Sequence, residues 1–109
     1  MAKYEKTIYG SFEELLDRIT DGILNGSMSA TLEDQSHFHG ASGSRCSVLV
    51  FERYSYSGGN RVSLSVTLFQ DGDRIHVSAI TAGGSQALFF KVNTWGEEAF
   101  LEKLIEVLE

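Results

Sequence analysis

Proline is absent from this chain, and cysteine occurs once, as Cys46. A lone cysteine excludes a disulfide within the chain, which suits a reducing compartment. No apolar run approaches the roughly 20 residues that a membrane helix requires. The N-terminal lysines are not followed by the hydrophobic segment of a secretory signal. We therefore expect a cytoplasmic protein that does not associate with membranes.

Basic residues are also scarce, with 9 Lys and Arg against 15 Asp and Glu, and the formal net charge is −6. Binding to a phosphate backbone requires a basic surface, so this balance argues against nucleic-acid partners. Apolar residues make up 42% of the 109 positions, which is enough for one hydrophobic core. The length predicts a single domain spanning residues 1–109.

Two capping boxes predict where helices begin. Ser11 precedes Glu14 by three residues, and Thr94 precedes Glu97 by the same spacing. Apolar residues then follow at helical spacing in each segment. The first stripe consists of Phe12, Leu15, Leu16, Ile19 and Ile23, and the second of Phe100, Leu101, Leu104, Ile105 and Leu108. We expect one helix over residues 12–25 and a second helix starting after Thr94.

Period-two alternation and glycine-containing turns predict the strands. They are residues 3–9, 28–32 with a tail beyond, 45–56, 61–68, 74–81 and 86–92. The strand over 28–32 should bury one face, and 45–56 is apolar on both faces. Asp71-Gly72 predicts a tight hairpin with a type I′ turn, and Gly83-Gly84 predicts another turn.

Short turns make consecutive strands antiparallel. The predicted fold is α+β, with the order β-α-β(4-5)-α and both helices on one face of the sheet. This layout is like that of the TATA-binding and helix-grip groups. The predicted core consists of Leu15, Ile19, Val48, Val50, Leu64, Val66, Val77, Phe90, Phe100, Leu104 and Leu108.

The C-terminal half carries an AGGS turn at 82–85, an FFK strand at 89–91 and an N-T-x-G-E helix start at 93–97. With these three motifs the segment resembles a family of small uncharacterised bacterial proteins. The resemblance implies a cytosolic domain and brings no activity or catalytic residue with it.

Two histidines are spaced for metal binding. His37 and His39 would lie on one side of a strand, and a metal site needs at least a third ligand. His76 is one candidate for that ligand, with Glu33 and Asp34 as the others. The alternative is two exposed histidines at a strand end.

Two polar groups are candidate ligand sites. The first group surrounds the turn at 82–85 and consists of Ser85, Lys91 and Asn93. This turn can present backbone N–H groups to an anion, or it can be an ordinary hairpin turn. The second group consists of Arg53, Tyr54 and Arg61. Its two arginines beside a tyrosine can bind an acidic small molecule, or the group can be a solvated hairpin tip. The glycine spacing at 83–84 fits neither a dinucleotide nor a P-loop motif, and we expect no cofactor.

Ser63, Ser65 and Thr67 share one side of their predicted strand, and Ser47 and Ser78 are candidates to join them from neighbouring strands. A sheet face with so few charges lacks the usual protection against other chains. We expect it to contact a second copy of the protein or to line a groove, the alternative being a hydrated face. A homodimer can form through this face or through a helix.

Three functions remain open at this level. The first is a non-catalytic interaction module that associates with itself, since no nucleophile–base pair is recognisable. The second is a helix-grip-like domain with a small-ligand pocket between the sheet and the last helix. The third is a metal-dependent enzyme that uses His37, His39 and His76.

Overall fold

The computed structural model describes residues 1–27, 29–55, 60–83 and 90–109. The strands are β1 (Ala2–Tyr9), β2 (Thr31–His39), β3 (Arg45–Ser55), β4 (Asn60–Asp71) and β5 (Arg74–Gly83). The helices are α1 (Phe12–Gly26) and α2 (Phe90–Leu108), and a short 3₁₀ turn covers Ala41–Gly43. The five strands form one antiparallel sheet in the order β1-β5-β4-β3-β2. The predicted α+β fold is confirmed.

The first helix begins as its sequence predicts. The Ser11 hydroxyl accepts a hydrogen bond from the Glu14 backbone N–H at 3.2 Å, which satisfies one of the unpaired donors of the first turn. The residues of the predicted stripe turn towards the sheet. Phe12, Leu15, Ile19 and Ile23 are buried, and Leu16 packs partly against them.

The core lies between the helices and one face of the sheet. β4 is the middle strand, and its alternating residues supply the centre of this core. Val62, Leu64, Val66 and Leu68 are fully buried, together with Ile75 and Ala79 of β5 and with Phe100 and Leu104 of α2. The alternation predicted for residues 61–68 is confirmed.

The predicted phase of β3 is wrong. Val48 and Val50 were expected in the core, but Leu49 and Phe51 are fully buried there and the two valines lie half-buried on the other face. Both sets of alternating residues in this strand are apolar, so its own sequence does not decide which set faces the core. The pairing with β4 decides it, because Leu49 lies opposite Val66 and opposed residues in a sheet share a face.

The buried face predicted for the second strand is confirmed only in part: Ala30 and Leu32 pack partly buried against the core, whereas Ser29 and Thr31 are exposed. β2 starts at Thr31 and lies at the edge of the sheet, and every residue in it except the half-buried Leu32 is exposed. The helices contact β2 very little because α2 packs over β5, β4 and β1. Residue 28 lies outside the described part of the chain.

The predicted last strand is wrong where the structure describes it. α2 begins at Phe90, so residues 90–92 are helical, whereas 86–89 lie outside the described residues. Thr94 is therefore inside the helix and does not cap it. β-branched and aromatic side chains favour strands only weakly, and tertiary packing overrides that preference. The side chain of Phe90, a predicted core residue, is not among those described.

Glu97 has a different role from the predicted capping box. Its carboxylate is buried between the sheet and α2 and accepts a hydrogen bond from the Gly83 backbone N–H at 2.7 Å. Its other oxygen forms an ion pair with the Met1 amine. A buried charge is stable only with such partners, so Glu97 joins α2 to the end of β5 and the start of β1.

The β4–β5 hairpin is confirmed, but its turn differs from the prediction. Asp71 pairs with Arg74, so Gly72 and Asp73 are the two loop residues. Gly72 has φ +63°, and Asp73 is not among the residues with positive φ. Glycine with positive φ at the first loop position is the pattern of a type II′ turn, whereas a type I′ turn needs positive φ at both.

Gly22 lies where α1 packs closely against α2. A Cβ atom built on Gly22 would lie 2.4 Å from Val107 Cγ2 and 3.3 Å from Val107 Cβ. Valine has one strongly preferred rotamer in a helix and cannot swing aside easily. Gly26 lies one turn further along α1, and a Cβ there would meet nothing within 4 Å.

We predict opposite effects for the same substitution at these two glycines. Gly26→Ala should raise the free energy of unfolding by up to about 1 kcal/mol, the helix-propensity difference. Gly22→Ala should lower it by about 1–3 kcal/mol, because the added methyl group overpacks the contact. Urea denaturation measures both values. In a Val107→Ala background, Gly22→Ala should lower the free energy of unfolding much less. If both glycine substitutions raised this free energy equally, the close contact between Gly22 and Val107 would be contradicted.

Candidate functional site on the open face of the sheet

We call the side of the sheet that faces away from the helices the open face. The strand register aligns its side chains in rows that cross all five strands from β2 to β1. The first row is Phe38, Cys46, Phe69, His76 and Thr7; the second is Ser36, Val48, Thr67, Ser78 and Glu5; the third is Asp34, Val50, Ser65, Ile80 and Lys3. These rows carry three charged residues among fifteen, so the middle of the face is nearly uncharged.

Large apolar side chains are exposed on this face. Phe38 is 62% exposed, Phe69 44% and Ile80 38%, and Tyr9 and Tyr54 lie on the same side towards the ends of their strands. The other large hydrophobic residue recorded as exposed in the described part of the chain is Met1. Apolar exposure is therefore concentrated on one surface, which is the usual mark of an interaction site.

A groove of about 410 Å³ lies on the open face beside β1. Side chains from β1, β4 and β5 line it. They include Glu5, Thr7, Thr67, Phe69, His76 and Ser78. The Phe69 and His76 rings stack at 6.2 Å between centroids, and the His76 Nδ1 lies 3.1 Å from the Thr7 hydroxyl. One wall of the groove is therefore aromatic, and its floor carries small hydroxyl side chains.

The structure does not bring the three predicted metal ligands together. His37 and His39 lie on the helix side of the edge strand β2, whereas His76 lies on the open face. His37 instead contacts the Ser47 hydroxyl at 2.7 Å and the Gln35 side-chain oxygen at 3.0 Å. In the described residues, no three His, Cys, Asp or Glu side chains form a group that can hold a metal.

The predicted arginine–tyrosine group is divided between the two faces. Arg53 is half-buried on the helix side, where it donates to the Ser27 hydroxyl at 2.9 Å and lies 4.8 Å from the Phe100 ring centre. These contacts make it a link within the core. Tyr54 and Arg61 are together on the open face, with the guanidinium carbon 5.3 Å from the tyrosine ring centre.

Arg61 is also bound to its neighbours on the sheet. It donates to Glu52 at 2.8 Å and lies 3.7 Å from Glu33. The hydrogen bond to Glu52 raises the pKa of the Arg61 guanidinium above its ordinary value. These two carboxylates balance the charge of Arg61, and its role in binding an acidic ligand stays a prediction.

The third predicted group falls largely outside the description. Ser85 lies outside the described residues, and Lys91 and Asn93 have a helical backbone without described side chains. Their role as a ligand site stays a prediction.

The predicted serine and threonine face does exist. Ser63, Ser65, Thr67 and Ser78 lie on the open face, whereas Ser47 lies on the helix side and is buried. The sequence reasoning missed the aromatic members, Phe38 and Phe69. Extending the period-two pattern of β4 by one step from Thr67 would have placed Phe69 on this face.

A ligand pocket under the last helix finds no support in the described part of the chain. Between the sheet and α2, the described core includes the fully buried Phe100 and Leu104, and the side chains of residues 90–95 lie outside the description. The groove with a volume in the range of ligand sites lies on the opposite side of the sheet.

One of the comparisons with known proteins identifies the family of this chain. A model described as a family of unknown function, DUF6054, matches residues 1–109. The chain belongs to this family. Its match confirms the resemblance to an uncharacterised family, while bacterial origin and the motif at 82–97 stay predictions. A search of curated proteins found no match to this DUF6054 member. Among the described residues, no helix is both long and apolar enough to span a membrane.

We predict that two neighbouring residues of β4 respond very differently to the same change. Leu68 is fully buried and Phe69 is 44% exposed. Leu68→Ser should lower the free energy of unfolding by about 3–5 kcal/mol, and Phe69→Ser by about 1 kcal/mol or less. Urea denaturation of dilute protein measures both. A larger loss for Phe69→Ser than for Leu68→Ser would mean that the two faces are assigned the wrong way round.

Proposed function

We propose that this DUF6054 member is a non-catalytic interaction module that forms a homodimer through the open face, centred on Ser63, Ser65 and Thr67. The observation that supports this most directly is the gathering of exposed Phe38, Phe69 and Ile80 on the one face that the helices leave uncovered. Burying such side chains is favourable by about 25 cal/mol per Å² of apolar surface.

The size of the open face suits a second copy of the chain. Five strands about 4.8 Å apart and about nine residues long cover roughly 700 Å². Two such faces together cover about 1,400 Å², within the roughly 1,200–2,000 Å² that stable protein interfaces bury. Small side chains such as Ser65 and Thr67 allow a second sheet to approach closely at the centre of the face.

The two other candidate functions have weaker support. The three histidines lie on two faces, and the groove of about 410 Å³ lies on the side of the sheet away from α2. A cytoplasmic location stays a prediction that rests on the single cysteine, for which no disulfide partner exists within the chain.

The proposal predicts a dimer whose stability depends on Phe69. Sedimentation velocity at micromolar concentration should show twice the mass of one chain, dissociating on dilution. Phe69→Asp should yield a folded monomer, since it places a charge in the middle of the apolar face without disturbing the core.

Asp17→Lys is the matched control, because it changes a charge on the exposed side of α1 and leaves the sheet untouched. It should leave the dimer intact. A wild-type chain that stays monomeric at every concentration would refute the proposal, as would a Phe69→Asp variant that dimerises as tightly as the wild type.

A further inference from the structure

The open face carries both a protruding side chain and a groove, at opposite edges of the sheet. Phe38 projects from the edge strand β2 and is 62% exposed. The groove of about 410 Å³ lies near the other edge, beside β1, and includes Thr7 and His76. Phe38, His76 and Thr7 belong to the same row, so the protrusion and the groove are at the same level along the strands.

Two copies stacked open face to open face would bring these two features together if a twofold axis ran between the two sheets, parallel to β4. Rotation about such an axis keeps each row at its level and exchanges the two edges, so β2 of one copy lies over β1 of the other. Phe38 then faces the partner's groove, and the partner's Phe38 faces the groove of the first copy. Contacts made twice in this reciprocal way are the signature of a twofold interface. Sheets stacked face to face pack about 10 Å apart with nearly aligned strands.

Charge complementarity favours the same arrangement. In the third row it sets Lys3 against the partner's Asp34, and in the second row it sets Glu5 against the partner's Ser36. Among these three rows, the charged residues meet only an opposite charge or a neutral side chain. Asp71 lies beyond the first row at the hairpin, where it would face the partner's Asp71 across the axis, and its own Arg74 at 3.9 Å would balance this pair of like charges.

A twofold axis between the two sheets can also run across the strands, and this second arrangement brings the protrusion and the groove together less well. It keeps each strand over its own copy and reverses the order of the rows. Phe38 would then lie over the partner's β2 and could not reach the partner's groove, which is lined by β1, β4 and β5.

We propose that Phe38 inserts into the Thr7–Phe69–His76 groove of a second copy, and that this exchange fixes the geometry of the homodimer. The inference rests on the proposed function, since it requires that the open face is the dimer interface. Aromatic side chains in desolvated pockets dominate many interfaces, and Phe38 would be such an anchor in each copy.

Cross-linking tests the geometry without removing Phe38. Ser36 and Glu5 occupy the two edges of the second row, about 19 Å apart within one chain at four strand spacings. We would introduce Ser36→Cys and Glu5→Cys together in a Cys46→Ser background and add a short-armed bismaleimide. The proposed arrangement predicts covalent dimers for the double variant and none for either single variant, because residue 36 then faces residue 5 of the partner.

Truncation of the anchor provides the second measurement. Phe38→Ala should weaken the dimer by about tenfold or more. Tyr54→Ala should change its dissociation constant by less than about threefold, since Tyr54 is an exposed aromatic on the same face outside the groove.

The outcomes separate the two proposals. A wild-type chain that never dimerises removes the proposed function and the insertion together. A dimer that is disrupted by Phe69→Asp but does not cross-link between positions 36 and 5 keeps the proposed function and refutes this geometry. An unchanged dissociation constant for Phe38→Ala refutes the insertion.

Discussion

The two-residue period of β4 is the constraint on which both surfaces of this protein depend. Val62, Leu64, Val66 and Leu68 face the helices, and the residues between them face the open side. A shift of one residue would exchange the two sets. Because β4 is the middle strand, its phase sets β3 and β5 through direct pairing and then β2 and β1 through theirs. The core and the open face are thus two results of one alternating segment.

The helices add a second level of specification on the covered side. Gly22 lets α1 approach α2 at Val107, and Glu97 ties α2 to one end of the sheet, where Gly83 and Met1 both bind its carboxylate. Backbone partners that replace water offset the cost of burying this carboxylate. Apolar stripes alone would allow the helices to slide along the sheet. The close contact at Gly22 fixes the position of α1 on α2, and the buried Glu97 carboxylate fixes the position of α2 on the sheet.

Local patterns predicted the parts of the fold whose determinants are local. The capping box at Ser11 and the alternation of β4 are each written within a few residues, and both elements form as predicted. The phase of β3 was wrong because Val48 to Phe51 are apolar in both parities and only pairing distinguishes them. The start of α2 was wrong because weak strand propensities at 90–92 yield to helix packing. The open face was predicted only in part. Ser63, Ser65 and Thr67 follow from the alternation of a single strand, whereas the groove depends on how three strands pair with one another.

The open face must allow specific association without causing general aggregation. An uncharged apolar sheet face invites any exposed apolar surface to bind, yet acids predominate in this chain, and its net charge of −6 repels unrelated acidic chains at a distance. Within that repulsive field, binding is favoured for a partner that fills the groove and offers an apolar protrusion in return. Another copy of the same face provides both, since Phe38 and the groove lie at one level on opposite edges. A second copy carries the same net charge of −6, so in the proposed homodimer shape would select the partner, while local pairs such as Lys3 with the partner's Asp34 would offset part of the repulsion.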